Sequence, residues 1–338
     1  MSTPTASTDL LRVENLNKSF AISSGLFSPP LKLRALQDIS FSVKRGETVG
    51  IVGESGCGKS TLGRCILQLI SPDEGRVLWL GEDLTALPHE EMRRRRRDLQ
   101  IIFQDPLASL NPRMTVGEIV GDPLKTLMPE LSREERRARV LRIMEAVGLL
   151  PEMINRYPHE FSGGQAQRIG IARALITEPR LIVCDEPVSA LDVSIQAQIL
   201  NLLSGLKEQF GLTLIFISHN LSVVRHVSDR IMVLYLGRIV EFADGDDLYT
   251  DPKHPYTKAL LTAVPIPDPR RARERSIEGL RGEVPSPINQ PSGCTFRTRC
   301  PYAVPLCAEL RPPLEPAGSE SRLVACHRWR EIGLGGGG

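Results

Sequence analysis

The sequence predicts an α/β fold built around a largely parallel sheet, and three observations carry that prediction. Short β-type runs alternate with helical patterns from about residue 11 to about residue 242, as when strands are joined by helical crossovers. Three runs, residues 48–52, 181–184 and 212–218, are almost wholly apolar, as expected of strands buried on both faces. A glycine-rich stretch separates the first of these runs from a helical pattern over residues 62–70, which predicts a tight strand-to-helix turn.

With 338 residues, the chain can hold two domains, one large enough for a substantial core. A formal charge of +2 with 24 % charged residues gives no bulk attraction to nucleic acid. No apolar run approaches the roughly 18 residues a membrane helix requires. Residues 1–9 are rich in Ser and Thr and lack the basic-then-apolar order of a secretory leader. The chain therefore reads as soluble and cytoplasmic.

The turn after residues 48–52 reads Gly53-Glu54-Ser55-Gly56-Cys57-Gly58-Lys59-Ser60-Thr61. It matches the P-loop pattern G-x-x-x-x-G-K-[ST], in the strand–turn–helix setting that pattern requires. Glycines let the backbone curl so that its N–H groups point inward, and the following helix adds its positive end. Lys59 is placed to reach the β- and γ-phosphates, and the Ser60 hydroxyl to ligate Mg²⁺. The plainer alternative, an ordinary Gly-rich turn, does not account for Lys-Ser in register after the last glycine. The stretch predicts a nucleoside triphosphate site.

Farther along, residues 93–97 are five arginines after Pro88-His89-Glu90-Glu91. They read as the solvated face of a short helix rather than a lipid or nucleic-acid patch. From residue 106 to about 163 the apolar spacing turns helical, as in Val140, Leu141, Ile143, Met144 and Val147, which predicts a helical insertion. Phe161-Ser162-Gly163-Gly164-Gln165 follows it, a serine cap and small residues opening a second helix. Residues 181–184 end in Asp185-Glu186, so a buried strand delivers two carboxylates to the carboxyl edge of the sheet, where ligands of such sheets bind. There Asp185 can hold Mg²⁺ through water, and Glu186 can orient or deprotonate the attacking water. Taken alone, acids after a strand are as often a helix cap; behind an upstream P-loop they are a strong signal.

Together these segments resemble the ATP-binding subunits of ABC transporters, over residues 11 to about 245. The signature of that family is usually Leu-Ser-Gly-Gly-Gln, and Phe161 here replaces the leucine. The resemblance implies that Phe20, in Asn17-Lys18-Ser19-Phe20, stacks on adenine, although tyrosine is more usual there and a plain core or edge aromatic is the alternative. Residues 53–61 hold the phosphates by the same inference, with Mg²⁺ held by Ser60, Gln104 and Asp185. Gln104, in Ile101-Ile102-Phe103-Gln104-Asp105, resembles the glutamine that touches Mg²⁺ and senses the permease. Ser189-Ala190-Leu191-Asp192 is similar to the D-loop, and His219 resembles the switch histidine that contacts the γ-phosphate. The resemblance makes Glu186, His219 and Gln104 the catalytic set. It also makes Ser162, Gly163, Gly164 and Gln165 bind the nucleotide held by a partner chain, in a head-to-tail pair closed by ATP and opened by hydrolysis.

Character changes after residue 250, so the expected division is an ATPase domain over residues 1–250 and an extension over 251–338. Prolines accumulate (Pro252, Pro255, Pro265, Pro267, Pro269), residues 270–275 are highly charged, and Gly335-Gly336-Gly337-Gly338 reads as a disordered end. His254-Pro255-Tyr256 reads as a rigid turn, with a partner contact as the alternative. The extension resembles that of oligopeptide and dipeptide importer ATPases, and the lead-in Gly25-Leu26-Phe27-Ser28-Pro29-Pro30-Leu31 looks more like their F subunit than their D subunit. The resemblance implies peptide import with two permease subunits, a paralogous ATPase and an extracytoplasmic binding protein, on the cytoplasmic face of the plasma membrane. A soluble ABC ATPase of nucleic-acid or translation function is the alternative. Such proteins usually carry two cassettes or a long coiled coil; this chain shows neither, and no nucleic-acid partner is expected.

Four of the seven cysteines, Cys294, Cys300, Cys307 and Cys326, lie in the extension. In a reducing compartment such crowding suggests ligation before disulfides. Four thiolates can hold a [4Fe–4S] cluster or zinc, free structural thiols being the further alternative; the absence of short C-x2-4-C knuckles disfavours zinc, and the resemblance implies the cluster. Arg297, Arg299 and His327 are placed to offset its negative charge. Cys57, Cys65 and Cys184 read as packing residues.

Overall fold

The computed structural model describes residues 9–23, 30–263, 282–319 and 321–333. Expectations for residues 1–8, most of the lead-in, Pro265, Pro267, Pro269, residues 270–275 and the four terminal glycines lie outside them. The chain opens with β1 (Asp9–Ile22) and β2 (Leu31–Lys44), then β3 (Thr48–Val52) and α1 (Lys59–Ile66), β4 (Glu74–Trp79), β5 (Glu82–Asp83), α2 (His89–Arg95) and β6 (Leu99–Ile102). The long β1 and β2 pair antiparallel, and with β4 and β5 they form a separate sheet in the order β2-β1-β4-β5. In α2 only Met92 is buried and the arginines of residues 93–95 are exposed, the solvated face expected of them.

The helical insertion is α3 (Pro106–Ser109), α4 (Val116–Leu127) and α5 (Arg133–Ala146). Reciprocal Thr115–Glu118 and Ser132–Glu135 capping boxes start α4 and α5, a signal written in four consecutive residues. Val140, Ile143, Met144 and Val147 are buried, as their spacing predicts. Beyond it come α6 (Gly163–Leu175), β7 (Leu181–Asp185), α7 (Val193–Phe210), β8 (Thr213–Ile217), α8 (Leu221–Val227), β9 (Arg230–Tyr235) and β10 (Arg238–Asp244).

Among the described residues the main sheet runs β11-β12-β10-β9-β3-β8-β7-β6. Its core, β9-β3-β8-β7-β6, is parallel throughout. This explains the unbroken apolar runs, because both faces are covered. Val49, Ile51, Val183, Ile215 and Ile217 pack with Leu62, Cys65 and Ile66 of α1 and with the antiparallel sheet. Ile182, Cys184, Leu214 and Phe216 face the helical side, against residues of α4, α6 and α7. Cys57, Cys65 and Cys184 are buried within these two layers.

The ATPase domain closes with α9 (Gly245–Thr250), and the extension contributes α10 (Pro255–Thr262), α11 (Leu306–Glu309), β11 (Glu315–Pro316) and β12 (Leu323–Val324). It is joined to the ATPase sheet, since β12 pairs antiparallel with β10 through Glu241↔Val324 and Phe242↔Leu323. His254-Pro255-Tyr256 is not a turn but the start of α10. His254 caps the helix by accepting from Tyr256 N at 3.0 Å, and Tyr256 is fully buried. Pro255 at the first helical position explains the difference, since its fixed φ suits a helix start.

Candidate functional site

The parallel topology brings three strand ends together: β3 leads into residues 53–58, β7 into Asp185-Glu186, and β8 into Ser218-His219. This is the carboxyl edge at which ligands of open α/β sheets bind. Gly58 caps α1 with φ +107° and no side-chain bond to the helix amides. That conformation suits glycine, and a Cβ there would stand 2.3 Å from the Ala35 carbonyl oxygen. Lys59 is buried and its Nζ donates to the carbonyls of Gly53 at 2.8 Å and Glu54 at 3.2 Å. The ammonium thus sits under its own loop, with the uncapped amides of α1 beside it. The Ser60 hydroxyl donates to Asp185 Oδ1 at 2.6 Å, and Arg64 Nη2 stands 3.9 Å from Asp185 Oδ2.

Glu186 is the centre of the second group. Its Oε2 lies 3.1 Å from His219 Nδ1 and accepts from Gln104 Nε2 at 3.4 Å. Its backbone has φ +48°, the left-handed region that non-glycine residues seldom occupy. That conformation is held by Glu186 N donating to Ile217 O at 3.0 Å and by the Ser189 hydroxyl donating to Glu186 O at 3.1 Å. The two acids at the strand end are therefore separated in role by geometry. Asp185 faces Ser60, and Glu186 faces His219 and Gln104.

Ser162, Gly163, Gly164 and Gln165 begin α6. Ser162 N donates to Gln165 Oε1 at 3.1 Å and Gln165 N to Ser162 Oγ at 3.4 Å, a capping box. Ser162 and Gly163 are exposed. A Cβ on Gly164 would lie 2.6 Å from Ile195 Cγ2 in α7, so the small residue lets the two helix starts approach. Asp192 caps α7, accepting from Ile195 N at 3.0 Å and the Ser194 hydroxyl at 2.8 Å. Those bonds hold its carboxyl below the usual range. Beside it Val193 is 81 % exposed. Among the described residues, no hydrogen bond or ion pair joins residues 162–165 to residues 53–61. Phe20 lies on β1, 36 % exposed, with Lys18 Nζ 5.6 Å from its ring centroid.

In the extension, Cys294, Cys300, Cys307 and Cys326 line one cavity of about 20 Å³ together with Phe296, Tyr302 and His327. Burial pushes the thiols of Cys294, Cys300 and Cys326 up to about 11. The expected [4Fe–4S] cluster is not supported: among the described residues no three His, Cys, Asp or Glu side chains are arranged to hold a metal ion. Arg299 also departs from expectation. Its guanidinium leaves the thiols and forms a two-pronged pair with Glu54, at 2.7 and 3.0 Å. Arg297 donates to Ser292, and His327 Nε2 lies 2.9 Å from the Leu310 carbonyl oxygen. The Arg299–Glu54 partnership and the donation of Glu54 N to the Tyr256 hydroxyl at 2.9 Å have no local signal in the sequence.

Residues 36–189 match the ABC transporter family, and residues 240–307 match the oligopeptide/dipeptide transporter C-terminal region. The chain is 58 % identical to the oligopeptide transport ATP-binding protein OppF of Salmonella typhimurium, covering 94 % of this chain and 95 % of that one. It is 52 % identical to the oligopeptide transport ATP-binding protein AppF of Bacillus subtilis, covering 94 % and 97 %. Among solved structures it is similar to a dimeric ATP-binding cassette in a post-hydrolysis state with ADP and Pi. There the TM-score is 0.62 at 33 % identity, covering 69 % of this chain and 98 % of that one. It is also similar to cbiO1 of Clostridium perfringens, part of the cbiONQ transporter complex, with TM-score 0.63, 28 % identity and coverage of 72 % and 91 %.

Proposed function

The chain belongs to the ABC transporter ATP-binding proteins of the oligopeptide-transport type, and from that premise we propose how its residues couple ATP to peptide import. It is the ATP-hydrolysing subunit of a peptide importer. It acts with a membrane permease, and no helix among its described residues is long and apolar enough to cross a membrane. The C-terminal match favours this reading over a soluble non-transport ABC ATPase. Residues 1–250 form the ATPase domain, with its helical part at about 106–163, and residues 251–338 form the extension.

One observation carries the mechanism: three strand ends present Lys59, the Ser60–Asp185 pair and the Glu186–His219–Gln104 group along one sheet edge. Residues 53–61 wrap the phosphates, Lys59 turning from its own loop carbonyls toward the β- and γ-oxygens, and Phe20 stacks on adenine. The oxygen donors of Ser60 and Asp185 stand 2.6 Å apart and suit a hard cation, so Ser60, Asp185 and Gln104 would hold Mg²⁺. When bound, that ion neutralises charge developing on the phosphoryl oxygens. Glu186 accepts a proton from the attacking water, and His219 contacts the γ-phosphate and holds the Glu186 carboxylate in place.

Ser162, Gly163, Gly164 and Gln165 complete a partner chain's site, with Asp192 at the seam. What supports this is the exposure of Ser162 and Gly163, the absence of any hydrogen bond or ion pair from residues 162–165 to residues 53–61 among the described residues, and the dimeric form of the similar cassette. The γ-phosphate contacts both halves only before cleavage, so hydrolysis removes the differential contact that holds the pair closed. The remaining assembly is two permease subunits, a paralogous ATPase and an extracytoplasmic peptide-binding protein, with this chain peripheral on the cytoplasmic face of the membrane. Cys294, Cys300, Cys307 and Cys326 line one cavity of the extension but are not arranged to hold a metal ion, and no step above passes through them.

Glu186→Gln tests the assignment. It should lower ATP turnover by about 10²–10⁴-fold, the usual contribution of a general base, while ATP-dependent pairing persists in gel filtration. Turnover close to that of the unaltered protein would remove Glu186 from the role.

A further inference from the structure

We infer that Arg299 is a positioning residue for ATP binding: acting through Glu54, it holds the phosphate loop in its binding shape and makes nucleotide affinity depend on the docked extension. The inference rests on residues 53–61 being the phosphate cradle.

Glu54 is the second residue of that loop, and three of its groups are held. Its carboxylate accepts both prongs of Arg299, at 2.7 and 3.0 Å. Its N–H donates to the Tyr256 hydroxyl at 2.9 Å. Its carbonyl accepts from Lys59 Nζ at 3.2 Å and from Cys57 N at 3.3 Å. The loop itself supplies only the last two. The first two come from the extension, 202 and 245 residues away in sequence.

The clamp is rigid on the extension's side. Arg299 and Tyr256 are buried. Tyr256 packs against Tyr235 with ring centroids 4.7 Å apart, and Phe296 meets both rings at 5.3 and 5.4 Å. The Arg299 guanidinium lies 5.9 Å from the centroid of the Tyr235 ring. A two-pronged charged pair fixes orientation as well as distance. Two physical effects follow. The loop's conformation is fixed at Glu54 before nucleotide arrives, so less affinity is lost to unproductive conformers. The Glu54 carboxylate, in a loop that receives a polyanion, also has its charge offset by a fixed guanidinium. Arg299 acts through Glu54 and not through the Glu186–His219–Gln104 group, so its effect belongs in affinity and not in the chemical step.

The test uses the full-length chain assembled with its permease. Arg299→Ala, Arg299→Lys, Glu54→Gln and the double variant are compared for KM and kcat with MgATP and for binding of a fluorescent ATP analogue. Arg299→Ala should raise KM and analogue Kd about tenfold, equivalent to about 1.4 kcal/mol, with kcat within twofold. Arg299→Lys, which keeps the charge but loses the fork, should recover part of that loss. The double variant should be no worse than Arg299→Ala, because both changes act on one pair. Unchanged KM in Arg299→Ala, a kcat loss with KM unchanged, or Arg299→Ala and Glu54→Gln effects that multiply would each overturn the inference. Should Arg299→Ala fail to fold, Arg299→Lys and Glu54→Gln carry the test, and wild-type KM in both overturns it. Lys59→Ala separates the two levels: retained nucleotide binding there removes the phosphate-cradle reading itself, whereas lost binding there with unchanged Arg299→Ala removes only the clamp.

Discussion

Replacing Glu241 with alanine should release the start of the extension from the ATPase sheet. Glu241 is fully buried on β10. Its carboxylate accepts from the backbone N–H of Lys253 at 2.8 Å and of His254 at 2.9 Å, and pairs with Arg322 Nη2 at 3.3 Å. It thereby ties β10 to the segment entering α10 and to the residue just before β12. Removing one member of a buried ion pair costs about 3–5 kcal/mol, and each stranded buried donor about 1–3 kcal/mol. All three bonds share one carboxylate, so these figures overlap and do not add. Arg322 also keeps its donation to the Asp251 carbonyl and its pair with Asp251 Oδ2 at 3.4 Å, which favours the lower end, about 3 kcal/mol.

Burial pushes the Glu241 carboxyl above the usual range despite these partners. Neutral Glu241→Gln, which still accepts from one N–H, should therefore cost less than the deletion. Amide hydrogen exchange reads the difference directly. In Glu241→Ala, amides of residues 253–262 and of β12 should exchange about 100-fold faster, matching about 3 kcal/mol of lost local stability. Exchange within threefold of the unaltered protein would refute the view that this carboxylate anchors the extension.

Three further outcomes follow from the same geometry. Gly58→Ala forces a side chain into a φ of +107° against the Ala35 carbonyl oxygen, so nucleotide binding should be lost and stability should fall by about 1–3 kcal/mol, read by calorimetry with and without MgATP. Burial lowers the pKa of His254 to about 3. Between the unfolded value of about 6.5 and that folded value, the unfolded chain takes up a proton that the folded chain refuses. Stability should thus be complete above about pH 6.5 and decline as pH falls, by at most about 1.4 kcal/mol per unit; denaturant melts from pH 7.5 to 5 should show a shallower slope in His254→Asn. Phe20→Ala should weaken ATP binding by a stacking contribution of about 1–3 kcal/mol, seen as a higher KM with kcat retained.

Much of this protein was legible in order along the chain because its key signals are local. The P-loop, the acids closing β7 and the Ser162–Gln165 cap each lie within a few consecutive residues, whose spacing alone dictates what they can form. The helical insertion followed from the 3.6-residue apolar period, and the parallel sheet from apolar runs without alternation. Less visible was the departure of Glu186 from ordinary backbone geometry, since glutamate, unlike glycine or asparagine, does not favour a left-handed φ. His254-Pro255-Tyr256 misled because proline marks a turn and a helix start equally well.

The sequence by itself determined the P-loop pattern, the order of the strands' chemistry and the likeness to importer ATPases. Tertiary structure alone decided that Asp185 faces Ser60 while Glu186 faces His219 and Gln104, that β12 extends the ATPase sheet, and that Arg299 serves Glu54 instead of the thiols. The physical reason is range. Caps, turns and periodicity are set by neighbours a few residues apart, whereas a buried charge takes whichever opposite charge the packed chain brings within reach, here 245 residues away.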